Sequence, residues 1–186
     1  MADDDGNLVR SCLAGDPVGI RSFVERFQGV VFGLCCRMLG HREDAEDVSQ
    51  EVFLRAIRGL SGWDASRPLK PWVLTIAVNR CRTFLSQRSR RPRPMEFAAE
   101  LPDRSPAPQT DLAEELTRAL ETVREDYRLC FILYHQQELT VTEISETLSC
   151  PEGTVKIWLY RARRELADIL RRRGVVPGVN HELHRI

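Results

Sequence analysis

Apolar residues recur at spacings of three and four along most of this chain, the period of one buried face of an α-helix. Ile20, Phe23, Val24, Phe27, Val31, Leu34 and Met38 form the first such series. Asp16 precedes it as an N-cap, Pro17 suits the first helical position, and Gly40 suits the end. A second helix is predicted over about 43–60, with Ala45, Val48, Val52, Phe53, Ala56 and Leu60 on one broad apolar face. Gly59, Gly62 and Pro68 break that pattern. A third helix is predicted from Pro71, carrying Trp72, Ile76, Cys81 and Leu85 toward the basic run RSRRPRP.

The periodicity then lapses. Five prolines fall between 92 and 109, a composition that resists packing and predicts a flexible, extended linker over 92–110. Beyond it, Leu112, Leu116, Leu120, Val123, Leu129, Ile132 and Leu133 resume the helical period, and two shorter helices follow on either side of LSCPEG. Thr140 with Glu143 fits a capping box, and Ser149 with Glu152 repeats the arrangement, so the pair predicts a helix-turn-helix. No alternating run is long enough for a strand. The expected fold is all-α: a helical bundle over 1–91, the linker, a helix-turn-helix domain over 111–173 and a short tail over 174–186.

Composition narrows the class. The 186 residues are 42% hydrophobic and 29% charged, enough apolar material for one ordinary domain or two small ones and too much for a disordered chain. No apolar run approaches the roughly 18 residues a membrane span needs, and the start, MADDD, is acidic, so a cytoplasmic protein without membrane insertion is expected. Cys12, Cys35, Cys36, Cys81, Cys130 and Cys150 form no CxxC pair and read as buried or incidental thiols.

Net charge is zero, yet the charges are strongly segregated. Residues 1–54 carry 5 basic and 10 acidic groups, and 55–94 carry 10 basic groups against Asp64 alone. Residues 95–152 reverse this, with 4 basic and 13 acidic groups, and 153–173 return to 7 basic against 2 acidic. Two basic blocks suggest two anion-binding surfaces, the starting point for nucleic-acid binding; two solvated helix faces are the plainer reading.

Three constellations carry candidate chemistry. On the second helix Glu43, Asp47, Gln50 and Glu51 lie opposite the apolar face, without basic partners in the local sequence, and Leu54 projects among them. That mixture suits a docking surface for another protein. In the last helix Val155, Leu159, Ala162, Leu166 and Ile169 form an inward stripe, leaving Lys156, Ile157, Tyr160, Arg161 and Arg164 outward. Arginines beside apolar groups suit the base edges and thymine methyls of a major groove. Between these, Trp63 and Trp72 are interleaved with Arg67, Lys70, Asn79, Arg80 and Arg82, the combination that binds single strands by stacking and phosphate neutralisation. Tryptophans that merely anchor helix ends are the alternative. No phosphate loop, nucleophile set or paired histidine ligands occur, so no catalytic residue, metal or cofactor is expected; His181 and His184 lie in the tail.

Taken together, HREDAEDVSQEVFLRA, WVLTIAVNRCRTFL and GTVKIWLYRARREL, in that order, resemble the extracytoplasmic-function sigma factors of the sigma-70 family, over roughly 16–91 and 111–172. The resemblance implies a transcription initiation factor that binds core RNA polymerase and promoter DNA and is held inactive by an anti-sigma factor, with no small-molecule substrate. Asp44, Asp47, Gln50, Glu51 and Leu54 would then dock on the clamp helices of the largest subunit. Arg67, Lys70, Trp72, Thr75, Asn79, Arg80 and Arg82 would read and melt the −10 element. Thr154, Lys156, Ile157, Tyr160, Arg161 and Arg164 would read the −35 element, while the second domain meets the flap region. The chain departs from the family pattern at Ile157 and Trp158, where a small polar residue and an arginine are usual, and at Ser149, where glycine is usual. A stand-alone helix-turn-helix regulator has no need of the acidic face and the aromatic-basic loop, and a thiol or metal enzyme would need a ligand or nucleophile spacing that the sequence lacks.

Overall fold

The computed structural model describes residues 2–90 and 112–175. The proline-rich linker over 92–110 and the tail histidines fall outside the described residues. The first segment holds four helices: α1 (Ala2–Leu13), α2 (Pro17–Leu39), α3 (Arg42–Gly59) and α4 (Leu69–Arg90), with a short 3₁₀ turn at Leu60–Gly62. The second holds α5 (Leu112–Thr122), α6 (Glu125–His135), α7 (Val141–Leu148) and α8 (Glu152–Arg172). No strand occurs among the described residues, as the periodicity predicts, and none of their helices is long and apolar enough to cross a membrane.

Local chemistry explains most boundaries. Asp16 caps α2, its carboxylate accepting from the N–H groups of Val18 at 3.0 Å and Gly19 at 3.3 Å. The Ser11 hydroxyl also donates to it at 2.7 Å, and these bonds hold the Asp16 carboxyl below its usual range, Ser11 foremost. Gly40 ends α2 in the left-handed region at φ 72°, where a side chain would be strained. Phe23, Val31, Leu34 and Cys35 of α2 close over Ala45, Val48, Val52 and Ala56 of α3 and Val73, Leu74, Ala77, Val78 and Cys81 of α4. All six thiols are free; Cys12, Cys35, Cys81 and Cys130 are buried, and the Cys81 thiol donates to that of Cys35 at 3.6 Å. Burial pushes the Cys130 thiol up to about 12.

Three expectations need correction. The opening residues form a helix that periodicity does not announce, because only Leu8, Val9 and Cys12 supply its apolar face. It is tied down by Asp5, only 7% exposed, which accepts from the Leu69 N–H at 3.1 Å and pairs with Arg26 at 2.5 Å. That bond to Leu69 also explains why α4 begins two residues before Pro71: an orphan helix-start donor is satisfied from α1. The second capping box does not form. Ser149 is instead the left-handed C-cap of α7, at φ 53° and ψ 47°, and Pro151 precedes α8 without a side-chain cap. Glu152 accepts from Thr142 at 2.7 Å, leaving the capping-box bond only at Thr140 and Glu143. Finally, the inward stripe of α8 ends on Leu170; Ile169 is half-buried.

The two segments pack together. Helix α7 lies on α4, α6 touches α2, and one continuous apolar cluster runs from Phe23 and Leu74 to Leu133, Ile144 and Leu159. A smaller cluster, Ala119, Leu120, Val123, Tyr127, Ala162, Leu166 and Leu170, holds α5 and α6 against α8.

Candidate nucleic-acid interface

The first basic block meets acceptors from the second segment. Arg67 donates to Glu146 at 3.0 Å, the Lys70 ammonium donates to the Gln137 carbonyl at 2.6 Å, and Arg82 pairs with Asp126 at 3.9 Å. The Thr75 hydroxyl lies 3.3 Å from that of Thr147. Thr147 is a polar side chain left only 1% exposed. Trp63 and Trp72 are half-buried; the Trp72 ring packs beside Gly59, where a Cβ would stand 3.5 Å from it. Both tryptophans, Arg67 and Thr75 line a cleft of about 600 Å³, closed on its other side by Thr140, Glu143 and Thr147. The Trp63 indole Nε1 is buried with no hydrogen-bond partner among the described residues. Asn79 is exposed.

Arg80 behaves differently. Its guanidinium forks onto Glu51 of α3, through Nε to Oε2 and through Nη2 to Oε1 at 2.9 Å. The contact holds the Glu51 carboxyl below its usual range and raises Arg80, hydrogen bonding leading in both. Arg88 donates a single bond, from Nη1, to Asp44 at 2.8 Å. Two acids of α3 therefore find basic partners across the bundle on α4. Asp47 and Gln50 stay exposed, and Leu54, at 54% exposure, stands among them as the one large apolar side chain of that face.

On α8 the outward face is open. Lys156 and Arg164 are exposed, Ile157 is 52% and Tyr160 64% exposed, and Thr154 is half-buried. Arg161 donates to the Tyr127 hydroxyl at 2.8 Å, and its guanidinium lies 5.8 Å from the Tyr127 ring centroid, so an exposed cation is held in one direction. Trp158, one of the departures from the family pattern, is half-buried and packs against both apolar clusters. The turn before α8 is braced by Ser145, whose hydroxyl donates to the Cys150 carbonyl at 2.6 Å.

Comparison with known proteins follows this division. Residues 23–91 match the model of Sigma-70 region 2 and residues 113–166 that of Sigma-70, region 4. The chain is 30% identical over 178 residues to the ECF RNA polymerase sigma-E factor of Haemophilus influenzae, covering 88% of this chain and 94% of that one. The chain belongs to the ECF sigma factors. Against the RNA polymerase sigma-H factor of Pseudomonas aeruginosa the identity is 27% over 182 residues, covering 90% and 94%. Among solved structures, the sigma factor RpoE of Bartonella quintana, in complex with the anti-sigma factor NepR, shares the fold with a TM-score of 0.67 at 19% identity, over 81% of this chain and 96% of that one. CnrH, in complex with the cytosolic domain of CnrY, gives 0.63 at 20% identity, over 89% and 96%.

This sigma factor is thus a two-domain transcription initiation factor, with promoter recognition as the activity of its family. Arg67, Lys70, Thr75 and Arg82 meet groups of the second segment and Trp72 lines the same cleft, whereas Asn79 is exposed and Arg80 turns toward α3. What periodicity and motifs miss are the acceptors opposite them, Glu146, Asp126 and the Gln137 carbonyl. The signal for these was present in the alternation of a strongly basic segment with a strongly acidic one.

Proposed function

We propose a division of labour among three surfaces, with the domains bounded at 1–91 and 111–173. Asp44, Asp47, Gln50, Glu51 and Leu54 form the core-polymerase docking face; the observation that carries this is the exposed Leu54 set among exposed Asp47 and Gln50, an apolar centre in a polar rim. Arg67, Lys70, Trp72, Thr75, Asn79 and Arg82 bind the −10 strand, with Arg80 acting mainly through its fork on Glu51, which locks α3 to α4. Thr154, Lys156, Ile157, Tyr160, Arg161 and Arg164 enter the −35 major groove. Ile157 and Tyr160 would meet thymine methyls and sugar, and the arginines guanine edges or phosphates.

Strand opening in this reading draws on binding energy alone: bases leaving the stack are compensated by pockets, stacking and phosphate contacts, and the chain contributes no catalytic step of its own. It works in the cytoplasm alongside the polymerase, and an anti-sigma factor, the partner seen with the two similar structures, restrains it. The test is transcription in vitro from a genomic promoter library with purified core polymerase. Discrete new start sites are expected with the wild-type chain. Asp47→Arg combined with Gln50→Arg, both at exposed positions, should abolish core binding in a pull-down while the protein stays folded. Unchanged core affinity would sink the docking assignment.

A further inference from the structure

Two thiols in the core of region 2 lie outside both the proposed docking face and the proposed DNA-facing residues. Cys35 of α2 and Cys81 of α4 are fully buried, and the Cys81 thiol donates to the Cys35 sulfur at 3.6 Å, so the two sulfurs touch where the helices pack. The received bond holds the Cys35 thiol below its ordinary range against the effect of burial, and the same contact raises Cys81. The other four thiols, Cys12, Cys36, Cys130 and Cys150, are all raised, burial foremost. Cys35 is therefore the one thiol of the chain biased toward the thiolate, the form that reacts, and a second thiol is in contact with it.

We propose that Cys35 and Cys81 are a disulfide-forming pair, a modification site at which a small hydroperoxide joins α2 to α4. The Cys35 thiolate attacks one oxygen of hydrogen peroxide. An S–O bond forms, the O–O bond breaks, and the departing hydroxide takes up the proton that Cys35 released and leaves as water. The Cys81 sulfur then attacks the Cys35 sulfenic acid: the S–S bond forms, the S–O bond breaks, and the hydroxyl leaves with the Cys81 proton as a second water. The two sulfurs together lose two electrons, and the peroxide is reduced to two waters. The sulfurs must close from 3.6 Å to about 2.05 Å, a shift that rotation of two short side chains and slight movement of the helices supply. Burial slows the reaction but directs it. Peroxide, little larger than water, reaches the pair only when the core opens locally. The sulfenic acid then faces Cys81 and not solvent, which favours closure over a second oxidation. Cys36 is half-buried and next in sequence, but successive helix positions point about 100° apart, so the Cys81 that touches Cys35 does not serve it. The cross-link joins positions 46 apart, which restricts the unfolded chain and fastens the helix carrying Asn79, Arg80 and Arg82 to α2.

The experiment exposes the reduced full chain to hydrogen peroxide, stops the reaction with catalase, alkylates the remaining thiols in denaturant and maps tryptic fragments without reductant. Two of the six thiols should be lost to alkylation, and a fragment joining residues 27–37 to residues 81–82 should appear and vanish on treatment with dithiothreitol. Cys36→Ser should form the same fragment, which assigns the bond to Cys35. The wild-type map decides the matter alone if that variant does not fold. The oxidised chain should unfold at a higher urea concentration than the reduced one, and dithiothreitol should return it to the reduced midpoint. Cys35 and Cys81 still alkylated after the treatment, a fragment joining other cysteines in its place, or loss of the fragment in folded Cys36→Ser overturns the pairing. An unchanged urea midpoint in the cross-linked chain overturns its effect on region 2.

Discussion

On α4 the basic side chains end on acceptors: Arg80 on Glu51, Arg88 on Asp44, Arg82 near Asp126 and, just before the helix, Arg67 on Glu146. On α8 from Lys156 to Arg164, the outward side chains Lys156, Ile157, Tyr160 and Arg164 face open solvent, and Arg161 is anchored on Tyr127. The two helices look alike as charge patterns. Each packs against three other helices, α4 against α2, α3 and α7 and α8 against α5, α6 and α7, but α8 keeps the face of Lys156, Ile157, Tyr160 and Arg164 open. A basic block is therefore evidence for an anion-binding surface only once its neighbours are known. An arginine on a central helix has acids from two other helices within reach of its long side chain.

The largest effect should come from removing the support beneath the covered surface. Asp5→Ala deletes a nearly buried carboxylate that holds both the Arg26 guanidinium and the first N–H of α4. Its loss should cost about 2–3 kcal/mol, read by urea denaturation of the full chain. Asp5→Asn should fall between, retaining an oxygen for Leu69 without the charge for Arg26. A loss within experimental error would mean that α1 is an ornament to region 2.

A matched pair of substitutions then tests covered against open. Lys156→Ala should lower the slope of log affinity for duplex DNA against log salt by about one, with affinity falling about tenfold. Arg82→Ala should leave both nearly unchanged in the free chain, since its side chain is turned toward Asp126. Equal effects would erase the distinction between α4 and α8.

A smaller change addresses the turn that aims the open helix. Ser149 holds a left-handed backbone without glycine's freedom, so Ser149→Gly should stabilise the protein by about 1 kcal/mol in thermal or urea unfolding. It should do so without altering DNA affinity, as the side chain is at the end of α7 and not on the outward face of α8.

The smallest effect is a pH dependence. Partial desolvation against its neighbours, and after it the charge of Arg163, holds the largely exposed His135 below its ordinary value of 6.5, so the unfolded chain protonates it more readily than the folded protein does. Its contribution is therefore fully present above 6.5 and is lost as pH falls from there through the lowered folded value. The melting temperature should decline more from pH 7 to 5.5 in the wild type than in His135→Gln; parallel declines would remove the histidine from the account.

Much of this molecule was legible in one dimension. Asp16, Pro17 and Gly40 bracket α2 because a cap, a ring-fixed φ and a left-handed stop act within a few residues of themselves. Thr140 with Glu143, and the exposed mixture on α8, follow from the same short range. The false second capping box shows where such reading fails: Ser149 and Glu152 have the right spacing, but the chain reverses at Ser149 and sends Glu152 to Thr142. The first helix escaped because its stability lies in a bond to a residue sixty-four positions away.

What the residues determined unaided was therefore the set of helices, their apolar faces and the charges each could present, because periodicity, capping and side-chain chemistry depend on near neighbours. Which charges remain presented was decided by tertiary packing. Glu51 and Arg80 are 29 positions apart and Arg67 and Glu146 are 79 apart, so only the folded chain can turn four isolated charges into two pairs.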